Sequence, residues 1–202
     1  MVLKFILSTL VLILIVWVNL KMYEEFENKS IIKYLVLGTI FIGGLIVLLK
    51  LSYINTLKYT LLLSLLYSAF ITDYRSKDIV GLNTYLMYLY VGVFLFIDFT
   101  NGDNIIFKIS ICLITYLICK ALNYFKLMGD GDNSIMIIIV YTFEYYSLLV
   151  FGMACLISLI LGIIRHKKEV FKSEVALAPG LFLAVISIGY LLLYQYIKIT
   201  NL

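Results

Sequence analysis

The chain has 202 residues, 63% apolar and 14% charged, with sixteen Lys and Arg against twelve Asp and Glu for a formal net charge of +4. Soluble proteins carry about 45–50% apolar and about 25% charged residues, so this chain has too little polar surface to wrap a water-soluble globule. A single Pro and the low charge exclude disorder, collagen and low-complexity sequence as well.

A membrane-spanning helix needs about 20 mostly apolar residues for a hydrocarbon core about 30 Å thick. Apolar runs at 3–20, 33–50, 56–72, 80–98, 107–125, 127–145, 147–165 and 177–197 predict eight spans, hence an all-α polytopic membrane protein. Residues 1–55 are expected to form an N-terminal transmembrane hairpin and 56–202 a six-helix membrane core, within one integrated membrane domain. The first run lacks an A-x-A-like cleavage site and is read as an anchor, not a signal peptide. Glu24, Glu25 and Glu27 follow it among lysines, as a solvated loop would. The third run ends Ser68-Ala69-Phe70-Ile71-Thr72-Asp73, and Asp78 precedes the fourth. Asp98, Asn101, Gly102, Asp103 and Asn104 have turn composition. Cys112, Cys119 and Cys155 lie inside apolar runs and read as small buried hydrophobes. Their odd number and the lack of C-x-x-C spacing argue against a disulfide frame or zinc ribbon. Glu144, with Tyr145 and Tyr146, is the expected turn between the sixth and seventh spans, since a carboxylate at mid-membrane is costly. Arg165-His166-Lys167-Lys168 then forms the longest basic cluster, a topology anchor holding the only histidine.

Eight spans put loops 21–32, 73–79, 126–132 and 165–176 on one side. That side carries Lys21, Lys29, Lys33, Arg75, Lys77, Lys126, Arg165, Lys167, Lys168 and Lys172, while the other carries Lys4, Lys50, Lys58, Lys108 and Lys198. Positively charged loops stay inside, so the first set is expected in the cytoplasm and both termini outside.

Asp73 and Asp78 end the third span, and Asp130 and Asp132 begin the sixth. Two spans separate these ends, which therefore share the cytoplasmic face. Met128-Gly129-Asp130-Gly131-Asp132-Asn133 places glycines on both sides of an acid at a helix start. Glycine permits close backbone approach, and a helix N-terminus favours a carboxylate by about 0.3–1 kcal/mol. Alone, the segment also reads as an ordinary Gly–Asp loop; Asp73 on the same face is what gives it chemical meaning. Two carboxyls brought together share one proton. One acts as general base on water while the other protonates the carbonyl oxygen, which is peptide hydrolysis. The pair titrates as a unit, so neither member takes a fixed role. Other chemistries fail on inventory: one histidine cannot supply H-E-x-x-H, His166 lies in a basic loop away from any buried serine, and no P-loop or dinucleotide glycine pattern is present. Asp130-x-Asp132 holding a divalent metal for a phosphate substrate is a minority alternative.

These residues carry a resemblance. Asp73-Tyr74-Arg75-Ser76-Lys77-Asp78-Ile79, closely followed by another span, resembles the first catalytic segment of the type IV prepilin peptidases, and Gly129-Asp130-Gly131-Asp132 matches their G-x-G-D signature. Ala178-Pro179-Gly180-Leu181-Phe182-Leu183 is similar to the Pro-containing stretch before their last helix. The likeness covers about residues 60–197. It implies an intramembrane aspartic endopeptidase with Asp73 and Asp132 as the dyad, Gly129, Asp130 and Gly131 in support, and Pro179 close to the site. The implied substrate is a prepilin-like or preflagellin-like precursor with a short basic leader ending in Gly before a hydrophobic helix. It is cut at the cytoplasmic face of the cell membrane, without metal, organic cofactor or nucleic acid. Val80 and Gly81 stand where the family has Pro and Asn, and Ser134 where many members have Lys. The short loop 21–32 lacks the paired cysteines associated with N-methylation in larger members, so peptidase activity alone is expected, as in archaeal relatives. Presenilin-like proteases share G-x-G-D and a late proline motif but are larger. The competing class is a non-enzymatic membrane protein, an ion-coupled transporter or a pilus or secretion assembly subunit, because intramembrane acids also serve ion relays.

Overall fold

The computed structural model describes residues 2–22, 28–49, 51–76, 81–125, 129–166 and 178–188. Glu24, Glu25, Glu27, Lys77, Asp78, Val80, Lys126, Lys167, Lys168, Lys172 and Lys198 lie outside the described residues, as does the end of the expected last span. Among the described residues there is no strand. Helix α1 (Val2–Lys21) is followed by α2 (Asn28–Gly38), which passes through one π-helical turn (Thr39–Gly43) into α3 (Gly44–Leu48). Then come α4 (Tyr53–Ser76), α5 (Gly81–Thr100), α6 (Ile105–Tyr124), α7 (Asp130–Phe143) and α8 (Ser147–His166). A short apolar helix, α9 (Ala178–Ile188), ends the described chain.

Six stretches are long and apolar enough to cross a membrane: Leu3–Lys21, Ser30–Leu48, Tyr53–Asp73, Gly81–Thr100, Ile105–Tyr124 and Gly131–Leu161. The last of these takes in both the sixth and seventh expected runs, and the eighth is described only over Ala178–Ile188. Gly131–Leu161 is not one rod, however. Helix α7 stops at Phe143, and Glu144 takes φ 46°, ψ −117° before a 3₁₀ turn leads into α8. Positive φ is rare for a residue with a side chain, and here it marks a corner. Farther along α8, Ala154 and Ser158 lie against Gly180 of α9, and α9 starts at the end of α4. Helix α8 has therefore come back toward the end at which α4 finishes.

Helix α4 is the centre of the bundle. In its most apolar window 61% of the residues are buried, against 6% for α6. Thr56, Thr60, Ser64, Ser68 and Thr72 recur at every fourth position and are all buried. Four-residue spacing stacks side chains on one face, and small residues there let neighbouring helices approach closely in lipid. Three of the hydroxyls bond back to the helix itself, Thr60 Oγ1 donating to the Thr56 carbonyl at 2.7 Å, Ser68 Oγ to that of Leu65 at 2.9 Å and Thr72 Oγ1 to that of Ser68 at 3.1 Å. Thr56 Oγ1 and Ser64 Oγ are buried without a hydrogen-bond partner among the described residues. On the other faces Leu62, Leu63, Leu65 and Leu66 pack with Leu12, Val16 and Leu20 of α1. Helix α2 comes so close at Gly38 that an added Cβ would lie 2.7 Å from the Tyr67 ring, whose hydroxyl donates to the Tyr34 carbonyl at 2.9 Å.

The exposed surface is apolar along α1, α5, α6 and α8, with Leu10, Phe96, Leu117 and Ile160 among the outward-facing side chains. A continuous apolar exterior suits hydrocarbon rather than water, and the protein is membrane-embedded in character. One cysteine departs from expectation. Cys119 is buried and Cys112 half-buried, but Cys155 is exposed on the outer apolar face of α8 beside Leu156, where a small hydrophobe is equally at home in lipid.

Candidate active site

Asp73 sits in the last turn of α4 and is 7% exposed. Its Oδ2 accepts a hydrogen bond from the Ala178 backbone N–H at 2.9 Å. That N–H opens α9, so the carboxylate occupies the end of a helix where unpaired amides and the dipole favour negative charge. Pro179 comes next and is buried. A first-turn proline forfeits no intrahelical bond, and its fixed φ suits a helix start. Helix α9 is held on two sides. Its Phe182 ring packs on Tyr67 and Phe70 of α4, at centroid distances of 5.1 and 5.5 Å. On the α8 side, a Cβ at Gly180 would overlap the Ala154 carbonyl and Ser158 Oγ. Glycine is required there because backbone meets backbone.

Asp132 is the third residue of α7. Gly129 caps that helix in an extended conformation, φ −78° and ψ 153°. The Asp132 N–H donates to the Gly129 carbonyl at 3.2 Å, and the Asp132 carboxylate lies near the Gly129 backbone. The acid stands three residues after the cap, the position from which a capping-box carboxylate turns back toward the start of its helix. The glycine-flanked acid is thus fixed by its own helix start. Asp130 begins the same helix; its side chain lies outside the description. Gly131 contributes its carbonyl to Ser134 Oγ at 2.8 Å. Ser134 is 1% exposed and also touches Met87 Sδ of α5 at 3.3 Å, so it faces inward.

The carboxyls of Asp73 and Asp132 lie near enough for their charges to act on each other. Of the sequence-derived site residues, the structure thus gathers Asp73, Asp132, Gly129 and the Ala178–Pro179 start of α9 at one end of the bundle. Cys119 of α6 is within the same electrostatic range of Asp132. Just below Asp73, Asn83 of α5 receives the Ser68 hydroxyl on its Oδ1 at 2.9 Å and donates through Nδ2 to the Leu65 carbonyl at 3.1 Å. Neither Asn83 nor Ser68 has a motif to single it out; the signal was a polar pair facing across two apolar runs. Asn133, next to Asp132, is 2% exposed and its Oδ1 has no partner. Among the described residues no group of three or more His, Cys, Asp or Glu is placed to hold a metal.

The opposite end of the bundle holds a second polar cluster. Asp98, 7% exposed in the last turn of α5, accepts from Lys108 Nζ at 2.8 Å and from the Tyr141 hydroxyl at 2.5 Å, with Lys58 Nζ at 3.9 Å. Lys108 also reaches Asp103 at 3.2 Å and Glu144 at 3.6 Å. Turn composition correctly marks residues 101–104, where Gly102 takes φ 78° and Asn104 caps α6. Asp98 itself is not part of that turn. It is helical, buried and paired. Comparison with protein-family models, with curated proteins and with solved structures gives no match for this chain.

Proposed function

We propose that the protein is an intramembrane aspartic endopeptidase that removes the short basic leader of type IV prepilin-like precursors. The observation that supports this is that Asp73 and Asp132, from the ends of two different helices, lie within electrostatic range of each other, with Asp73 bonded to the first residue of α9. In this reading one carboxylate takes a proton from a water held between the pair. The hydroxide formed adds to the scissile carbonyl, whose oxygen receives the proton of the other carboxyl. Collapse of the tetrahedral intermediate expels the amine, which takes a proton back from the dyad. The substrate helix lies in the bilayer with its basic leader at the cytoplasmic surface, at the level of the two acids. A glycine before the cut gives a chain narrow enough to reach carboxyls between helices. Eight spans with both termini outside would put this end of the bundle in the cytoplasm, among the basic loops. A relay for ions usually places its acids near mid-bilayer, whereas Asp73 and Asp132 sit at helix ends.

The test is co-expression with a prepilin. Asp73→Asn and Asp132→Asn each abolish processing at unchanged protein level, while Asp130→Asn is much milder. Normal processing by either dyad variant removes that residue from the mechanism. Complete loss in Asp130→Asn, or inhibition by a chelator, favours the metal alternative. Shortening of the precursor by the detergent-solubilised protein separates the peptidase from a transporter.

A further inference from the structure

Helices α4 and α7 carry the two site carboxyls, yet they make few direct backbone contacts; α5 lies against both. Their relative height must be fixed through side chains. At the end remote from Asp73, a single carboxylate oxygen of α5 does this. Asp98 Oδ2 accepts from Tyr141, in the last turns of α7, and from Lys108 of α6, and it faces Lys58 of α4 at 3.9 Å. The Lys58 ammonium also lies over the Tyr141 ring at 4.8 Å and over the Phe94 ring at 5.7 Å. Tyr59 of α4 and Phe143 of α7 meet in the same layer, with centroids 6.5 Å apart. The remaining charged groups facing the cluster, Asp103 and Glu144, bind Lys108 and so keep it beside Asp98.

Buried ionic clusters are weak sources of net stability, and their best-attested use is to fix register. A slide of one residue along a helix moves a group by about 1.5 Å, enough to break each of these bonds and strand two ammonium groups. Because helices transmit an axial shift along their length, the same slide would reach the far ends of α4 and α7. We propose that Asp98 is a positioning residue: it sets the register of α4 against α7 from the remote end, and so aligns Asp73 with Asp132. The effect on catalysis rests on the peptidase reading; the effect on geometry does not.

The experiment measures both. In a full-length background with Cys112, Cys119 and Cys155 replaced by Ser, Asp73→Cys and Asp132→Cys are joined with a short bis-thiol crosslinker, and yield is scored per monodisperse folded protein. Crosslinking is expected with Asp98 present, and to fall severalfold with Asp98→Asn and with the milder Tyr141→Phe. In the unmodified dyad, Asp98→Asn lowers kcat for precursor cleavage by about tenfold or more, as small misalignments of reacting groups do, and Asp98→Glu recovers part of it. Unchanged crosslinking in Asp98→Asn, or no crosslinking even with Asp98 present, overturns the proposal. If Asp98→Asn does not fold, unchanged crosslinking in Tyr141→Phe overturns it alone. Lost crosslinking with no cleavage by any form, the unaltered protein included, keeps the role of Asp98 and removes the peptidase reading.

Discussion

The Asp132 carboxylate lies near the backbone of Gly129, only three residues before it, which makes Gly129 a sharp probe of the site. Its φ of −78° suits proline, so Gly129→Pro keeps the backbone and removes only the N–H available to that carboxylate. A hydrogen bond to a charged group contributes about 1.5–3 kcal/mol, and Gly129→Pro is expected to lower precursor cleavage by about tenfold or more. Gly129→Ala keeps the N–H, and its Cβ would sit 3.5 Å from Asp132 Oδ2, an ordinary contact; near-normal cleavage is expected. Equal loss in both variants would show that the bond plays no part. At this scale legibility follows sequence distance. Gly129-Asp130-Gly131-Asp132 is contiguous and readable, whereas Asp98 looks like one more polar residue before a turn. Its partners Lys58 and Tyr141 lie 40 or more positions away, and no local pattern connects them.

Among the elements, α4 shows what periodicity hides as well as what it reveals. Its apolar run and the acid in its last turn are plain in the sequence. That it is the central helix is not, because five hydroxyl-bearing residues lower its hydropathy while their small size is what lets neighbours close around it. Asn83 joins that face to α5 next to Asp73. Asn83→Ala removes both bonds, and interhelical hydrogen bonds in membranes contribute about 0.6 kcal/mol on average and up to about 2. A loss in that range is expected in unfolding of the purified protein in mixed micelles, and a variant as stable as the parent would discount the link. The corner at Glu144 was legible for a different reason: a carboxylate in the middle of a long apolar run has to find an edge or a cation, and it finds Lys108.

For the molecule as a whole, parity is the part of the architecture that sequence makes accessible. Two spans between Asp73 and Asp132 put them at one end whatever the total number, and the charge asymmetry is the basis for proposing that this end faces the cytoplasm. How far apart those helices stand, and which neighbour separates them, depends on side-chain fit that no hydropathy pattern encodes. Sidedness is checked by thiol labelling in intact cells, again without the native cysteines. Asn101→Cys should react with an impermeant reagent applied outside, and Lys168→Cys only after permeabilisation. The reverse pattern would place the acids at the outer surface and exclude a substrate whose leader stays in the cytoplasm.

The amide that Asp73 accepts belongs to a residue 105 positions later in the chain. During synthesis both acids leave the ribosome and enter the bilayer well before α9 exists, so the nascent protein carries both carboxyls without the helix start that seats one of them. Under the proposed function, competence would arrive abruptly with the docking of α9, and neighbouring membrane proteins made at the same time would be spared a half-built protease.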